Sequence, residues 1–115
     1  MKRTQYNVIL LIWVVIETFY LLLTRNVYEK WVNQFSTFRF SIIGAFLSYM
    51  CLLLGFINFV SDAKSGLLFG FIVFGIYNFT NLSTLDNYPI NMVVLDMTYG
   101  ILLFGLLGHV KYIYT

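Results

Sequence analysis

Residues 39–84 read RFSIIGAFLSYMCLLLGFINFVSDAKSGLLFGFIVFGIYNFTNLST. Two apolar runs, 39–61 and 65–84, stand on either side of the short connection Asp62-Ala63-Lys64. A helix that crosses the roughly 30 Å hydrocarbon core of a bilayer needs about 20 mainly apolar residues, and each run has that length. Because the connection is so short, the two runs are predicted to form an antiparallel pair of membrane-spanning helices.

Two further apolar runs flank this pair, at residues 6–24 and 91–112. Pro89 follows the polar stretch 83–88, as expected where one helix ends and the next begins. The runs are continuous and do not alternate between apolar and polar residues, which excludes a β-barrel. We therefore predict an all-α, integral membrane four-helix bundle, a single domain over 1–115 with spans near 6–24, 39–61, 65–84 and 91–112.

The composition agrees with this assignment. The chain is 60% hydrophobic and 10% charged, with a mean hydropathy of +0.81, whereas a soluble domain is roughly a quarter charged. The lipid bilayer is therefore its expected partner. No basic run is available to follow phosphates, so nucleic-acid binding is not expected. The lone Cys51 supplies neither an intrachain disulfide nor a ligand set, and we predict no metal and no cofactor.

The orientation follows from the distribution of Lys and Arg. One side of the membrane would carry Lys2, Arg3, Lys64 and Lys111, and the other Arg25, Lys30 and Arg39. This bias predicts that both termini lie on the cytoplasmic or interior side.

The connection between the first two spans, residues 25–38, carries an apolar pattern with helical spacing. Tyr28, Trp31 and Phe35 recur along one face, and rings of this kind gather at the membrane surface. We predict a short interfacial amphipathic helix here, with an irregular polar loop as the alternative. This connection is also the expected contact with protein partners.

Small residues predict how the spans pack. In lipid, helices associate through close contacts of small side chains and through interhelical hydrogen bonds. On span two a stripe at three- and four-residue spacing predicts a packing face, made of Ser41, Gly44, Ser48, Cys51, Gly55 and Asn58. Gly66 and Gly70 of span three and Gly100 of span four predict close backbone approach, either within one protomer or at a dimer seam.

Polar side chains interrupt the spans at one level of the membrane. Glu17, Asn78, Asn81 and Asp96 fall at similar depth from the same face. Thr80 and Tyr99 can join them, and Arg39 can extend down to compensate a carboxylate. An ionisable group in hydrocarbon normally faces a partner or a cavity, so we predict that these seven residues form a buried polar cluster.

Two interpretations of the cluster remain open. It is either a hydrogen-bonded clasp that sets helix register or a small pocket for an ion, a proton or a lipid head group. Catalysis ranks third, since no nucleophile, metal set or oxyanion site accompanies the acids, and we predict that the protein is not an enzyme.

Three segments carry a family resemblance. They are Gly75-Ile76-Tyr77-Asn78-Phe79-Thr80-Asn81-Leu82-Ser83-Thr84-Leu85, then Tyr88-Pro89, then Asp96-Met97-Thr98-Tyr99-Gly100. Together with Glu17 and the Tyr28-Glu29-Lys30 region, they resemble the four-span membrane proteins grouped as domain of unknown function 2177. This chain departs from the family pattern in having Asn78 where an aspartate is usual, and Tyr88 and Tyr99 where tryptophans tend to stand.

The resemblance implies no activity, since the family has none established. Similar proteins occur in bacteria and in large DNA viruses, which allows a virion inner membrane as the location. We expect a non-catalytic structural or assembly component of the membrane, linked in a virus to a protein shell. The alternative is the binding or transport of a small ligand, ion or lipid head group through the polar cluster.

Overall fold

The computed structural model describes residues 3–36 and 41–114, with side chains from Tyr6 onward. Within these stretches the chain forms four helices: α1 (Arg3–Val32), α2 (Ile42–Phe59), α3 (Ala63–Thr84) and α4 (Ile90–Tyr114). Each is long and apolar enough to cross a membrane, and these residues contain no strand. The prediction of an all-α, four-span membrane protein is confirmed.

Helix α1 is longer than predicted. Its 30 residues extend about 45 Å at 1.5 Å per residue. The predicted separate interfacial helix is wrong, because residues 25–32 are the last two turns of α1 and a turn follows at 33–35. These turns contain neither Gly nor Pro, and an Arg25–Glu29 ion pair of 3.8 Å spans one turn, so the helix has no local reason to stop.

The caps of α2 and α3 explain where these helices begin. The Ser41 hydroxyl accepts a hydrogen bond from the Gly44 amide at 3.1 Å. The Asp62 carboxylate accepts one from the Ser65 amide at 2.8 Å, and the Ser65 hydroxyl accepts one from the Asp62 amide at 3.1 Å. This reciprocal pair is a capping box, and these bonds hold the pKa of Asp62 below its usual value.

Helices α3 and α4 form the most extensive pair in the described part of the chain. Gly66 and Gly70 face the α4 backbone at Phe104 and Gly100 so closely that a methyl group at either glycine would overlap main-chain atoms. Gly100 also faces the Phe74 ring. The structure thus places all three predicted glycines at a contact within the protomer, where only the absence of a side chain permits this approach.

The predicted packing face of α2 is wrong. Of its six residues only Gly55, against the Phe69 ring, packs on another helix, and Ser41, Gly44, Ser48, Cys51 and Asn58 are exposed. The face of α2 turned toward the bundle carries Tyr49, Phe56 and Val60 instead. Tyr49 and Phe56 of α2 thus turn inward, where Phe56 packs against Trp13 and Phe104.

Aromatic rings from all four helices meet in the core. Phe104 of α4 is fully buried and has its ring centroid 5.3 Å from Trp13 of α1, 6.2 Å from Phe56 of α2 and 5.0 Å from Phe69 of α3. A second cluster lies around Met92 of α4 and Tyr88. The three residues predicted to be interfacial, Tyr28, Trp31 and Phe35, pack against this second cluster.

Lys111 joins the end of α2 to α4. Its ammonium donates hydrogen bonds to the carbonyls of Ile57 at 2.9 Å and Val60 at 2.7 Å, and it lies 5.4 Å from the centre of the Phe56 ring. The side chain is only 8% exposed. Carbonyls at the C-terminal end of a helix lack intrahelical donors, and a cation satisfies them well.

Candidate functional site

A cavity of about 760 Å³ lies between α1, α2 and α4 and contains two carboxyl groups, Glu17 of α1 and Asp96 of α4. Thr24, Arg25 and Ser48 add polar groups to its wall. Most of the remaining wall is aromatic, made of Trp13, Tyr20, Tyr28, Tyr49, Phe74, Tyr99 and Phe104. Of the predicted polar residues, Glu17, Asp96 and Tyr99 therefore lie beside an open space.

Glu17 is held by two tyrosine hydroxyls. Tyr49 of α2 donates to its Oε1 at 2.8 Å, and Tyr99 of α4 donates to its Oε2 at 2.6 Å. One side chain on α1 is thereby tied to two other helices, and each carboxyl oxygen has one donor.

Asp96 is held by an amide and a third tyrosine. Asn78 donates to its Oδ2 at 2.6 Å, and the Tyr28 hydroxyl donates to its Oδ1 at a longer 3.4 Å. The Tyr28 and Tyr20 hydroxyls are hydrogen-bonded to each other. The Tyr20 ring stacks on Tyr99 with centroids 3.5 Å apart and an interplanar angle of 12°, so Tyr20 links Tyr28, a partner of Asp96, to Tyr99, a partner of Glu17.

Asn78 is completely buried, and each of its polar atoms has a partner. Besides Asp96, its amide nitrogen donates to the Phe74 carbonyl at 2.8 Å, and its amide oxygen accepts from the Tyr88 hydroxyl at 3.2 Å. Asn81 donates to the Tyr88 oxygen at 3.5 Å. Burial raises the pKa of Tyr88, which lies in the α3–α4 connection, so its hydroxyl keeps the proton that it donates.

No basic side chain of residues 6–36 and 41–114 lies within ion-pair distance of Glu17 or Asp96. The ion pair in this part of the chain, Arg25–Glu29, is largely exposed, with the Arg25 side chain 73% accessible. The same residues contain no group of three His, Cys, Asp or Glu side chains that could hold a metal ion. Within this part of the chain, the acids of the cavity are thus compensated by hydrogen-bond donors and not by basic side chains.

An apolar groove of about 370 Å³ adjoins the cavity between α1 and α2. Glu17 lines both spaces, together with Trp13, Leu21 and Tyr49. The groove continues along α1 as far as Leu10 and along α2 from Phe46 to Leu53. The apolar groove and the cavity that contains both carboxyl groups therefore meet at Glu17.

The structure brings together five of the seven predicted cluster residues: Glu17, Asn78, Asn81, Asp96 and Tyr99. The prediction that Thr80 joins the cluster is wrong, because Thr80 is exposed. Two residues along a helix correspond to a rotation of about 200°, so Thr80 lies on the opposite side of α3 from Asn78. Arg39 lies outside the described residues.

Sequence reasoning missed three tyrosines that contact the polar groups: Tyr28, Tyr49 and Tyr88. Tyr28 is predicted at the membrane surface, and Tyr49 lies outside the small-residue stripe of α2. A usable signal was present, since Tyr49, Phe56 and Val60 are spaced seven and four residues apart, as on one helix face. Favouring that aromatic face would have placed Tyr49 near Glu17.

The chain matches one known protein family. No curated protein and no solved structure matches the chain. One family model, described as a predicted membrane protein (DUF2177), matches residues 3–113 and so includes the four helices almost completely. The chain therefore belongs to this family of predicted membrane proteins, DUF2177.

Proposed function

We propose that the protein binds a small organic cation in the cavity between α1, α2 and α4. The observation that carries the proposal is that Glu17 and Asp96 line one cavity and that neither is paired with a basic side chain of the described residues. Acidic groups inside a membrane are costly and mark binding or transport sites by default. A cation between them would compensate both.

The walls favour an ammonium ion as the ligand. The faces of aromatic rings attract cations, and aromatic cages are the usual recognition device for quaternary ammonium groups. Seven aromatic residues contribute to this wall. A Ca²⁺ or Mg²⁺ ion would need about six oxygen ligands, whereas the carboxyl oxygens here are shared with hydroxyl and amide donors. The cavity volume also lies in the range typical of small-molecule sites, roughly 300–1,000 Å³.

The hydrogen bonds to the two carboxyl groups are compatible with cation binding and equally with a clasp that sets helix register. Tyr49, Tyr99 and Asn78 hold the carboxyl groups in place, and a binding site needs such supporting contacts to keep its charges oriented. A clasp alone accounts for these bonds but leaves the adjacent space without a role, whereas cation binding uses both.

The experiment measures binding of choline and of its uncharged carbon isostere, 3,3-dimethylbutan-1-ol, to the purified protein in nanodiscs. Trp13 lines the cavity, so its fluorescence reports binding when Trp31→Phe removes the other tryptophan. We expect choline to bind at least about tenfold more tightly than the isostere, a difference of about 1.4 kcal/mol. Glu17→Gln and Asp96→Asn should each weaken choline binding by a similar factor.

The matched control is Asp86→Asn, which removes one carboxylate from the exposed α3–α4 connection and should leave choline binding unchanged. Equal affinity for choline and the isostere would refute the proposal. Undiminished choline binding in both Glu17→Gln and Asp96→Asn would also refute it.

A structural or assembly role is the second candidate, supported by the exposure of the small-residue stripe on α2. Cys51 lies on that stripe and is exposed, so pairing of two copies through α2 should allow an oxidant to form a Cys51–Cys51 cross-link in the membrane. The control moves the thiol to the flank of α2 by Cys51→Ser with Leu54→Cys. Equal cross-linking from both positions would argue against pairing through the stripe. Protein partners at residues 25–38 and a virion location stay predictions.

A further inference from the structure

The apolar groove between α1 and α2 is open at the side of the bundle that would face lipid. Val14 and Phe46, on its two walls, are 60% and 63% exposed. A ligand can therefore enter it sideways from the bilayer without passing through water. Its wall is almost entirely apolar apart from Glu17, Thr18 and the Tyr49 hydroxyl.

The groove has the dimensions of one hydrocarbon chain. Its lining on α1 extends from Leu10 to Leu21, and the part from Leu10 to Glu17 is about 10 Å along the helix axis at 1.5 Å per residue. An extended chain covers about 1.2 Å per bond, so this part accommodates roughly eight or nine carbons.

The order of groups along the site specifies where the charge of the ligand must be. Glu17 lines both the apolar groove and the larger cavity, whereas Asp96 lines the larger cavity and not the groove. A tail in the groove therefore leads directly to a carboxyl group. This order suits a nitrogen attached next to the chain and does not suit a phospholipid, in which a phosphate separates the chains from the amine.

We propose that the ligand is a single-chain amphiphile from the membrane, with its cationic nitrogen between Glu17 and Asp96 and its hydrocarbon chain in the α1–α2 groove. This proposal rests on the proposed cation site and adds the chain. It predicts that affinity rises with chain length, because each methylene buried in the groove contributes a favourable transfer free energy. The polar end of the ligand would displace water from the cavity and leave the tyrosine contacts to Glu17 in place.

The test compares choline with butyl-, octyl- and dodecyltrimethylammonium, using the Trp13 signal in nanodiscs and subtracting partition into empty nanodiscs. We expect at least a tenfold gain in affinity from the butyl to the dodecyl compound. The variant Val14→Phe with Thr18→Phe fills the groove from α1 and should abolish that gain while choline binds as before. The matched control, Leu11→Phe with Val15→Phe, adds the same two rings to α1 at positions that line neither space and should keep the gain.

The outcomes separate the two proposals. If choline binding depends on Glu17 and Asp96 but affinity does not rise with chain length, the groove proposal is wrong and the cation site stands. A chain-length gain that survives Val14→Phe with Thr18→Phe also overturns the groove proposal. If choline binding does not depend on the two acids, the cation site itself fails. Displacement of the dodecyl compound by an amine-bearing phospholipid as effectively as by dodecylamine would overturn the single-chain assignment.

Discussion

At the residue scale, ionisable groups inside the bundle have partners of two kinds. Glu17 and Asp96 accept hydrogen bonds from side chains of other helices, whereas Lys111 donates to main-chain carbonyls at the end of α2. The carboxyl groups border a cavity, and the ammonium is enclosed. This difference separates candidate binding groups from a structural one.

Lys111→Met tests that structural role. Methionine keeps an unbranched apolar stem but leaves the Ile57 and Val60 carbonyls without their donor, and hydrogen bonds to charged groups contribute roughly 1.5–3 kcal/mol each. We expect a clear decrease in thermal stability in detergent, followed by circular dichroism, with a loss of at least about 3 kcal/mol for the two bonds. Lys64→Met, at an exposed position, is the control. Equal melting temperatures for the two variants would show that Lys111 does not hold α2.

At the element scale, individual glycines differ in whether a side chain could replace them. The α3–α4 seam exists because Gly66 and Gly70 allow backbone contact, while Gly44 of α2 would meet only its own cap, Ser41, if a methyl group were added. Glycine is thus required at Gly66 and Gly70 and replaceable at Gly44.

Gly66→Ala and Gly44→Ala make that contrast measurable. The Gly66 variant must push α3 away from the Phe104 carbonyl, and overpacking of this kind costs about 1–3 kcal/mol. The Gly44 variant should be neutral or more stable by about 0.5–1 kcal/mol, since alanine favours a helix interior. Unfolding by SDS titration gives both values. A Gly66→Ala protein as stable as the Gly44→Ala protein would contradict the seam.

The start of α3 makes a pH-dependent contribution to stability. Because Ser65 holds the pKa of Asp62 below its usual value, the ionised cap is fully effective above the ordinary aspartate pKa of about 3.9. Its contribution is lost as the pH falls through the lower pKa of the folded protein. We expect the melting-temperature difference between wild type and Asp62→Asn to shrink between about pH 5 and pH 2. A difference that stays constant or grows on acidification would rule out this effect.

On the scale of the whole molecule, α1 exceeds the membrane thickness. At about 45 Å it is longer than the roughly 30 Å hydrocarbon core, and its last turns pack with Tyr88 at one end of the bundle. The exposed Arg25 lines the polar cavity in this part of α1. At one end of the bundle, the C-terminal turns of α1 and the α3–α4 connection therefore pack together.

Single cysteines in a Cys51→Ser background test this arrangement. Gln34→Cys and Asp86→Cys should react with a membrane-impermeant maleimide from the same side of sealed vesicles, and Lys64→Cys from the other. Leu11→Cys, within the membrane, should remain unlabelled. Labelling of positions 34 and 86 from opposite sides would contradict the four-span topology. The same data show on which side of the membrane the termini lie, which stays a prediction. Lys111 contributes little to the Lys and Arg bias behind that prediction, because its ammonium is bound to carbonyls of α2.

The sequence alone determined the number of spans, the tight α2–α3 connection and that the acidic and amide groups fall at one level along the helices. Those features depend on local composition and on the fixed rise of a helix, so Glu17, Asn78 and Asp96 were identifiable without coordinates. Tertiary structure alone decided which face of α2 turns inward, how far α1 continues, and that the polar groups border a cavity joined to an apolar groove. In lipid both faces of an apolar helix are compatible with their surroundings, so rotation about its axis is settled by side-chain fit between helices.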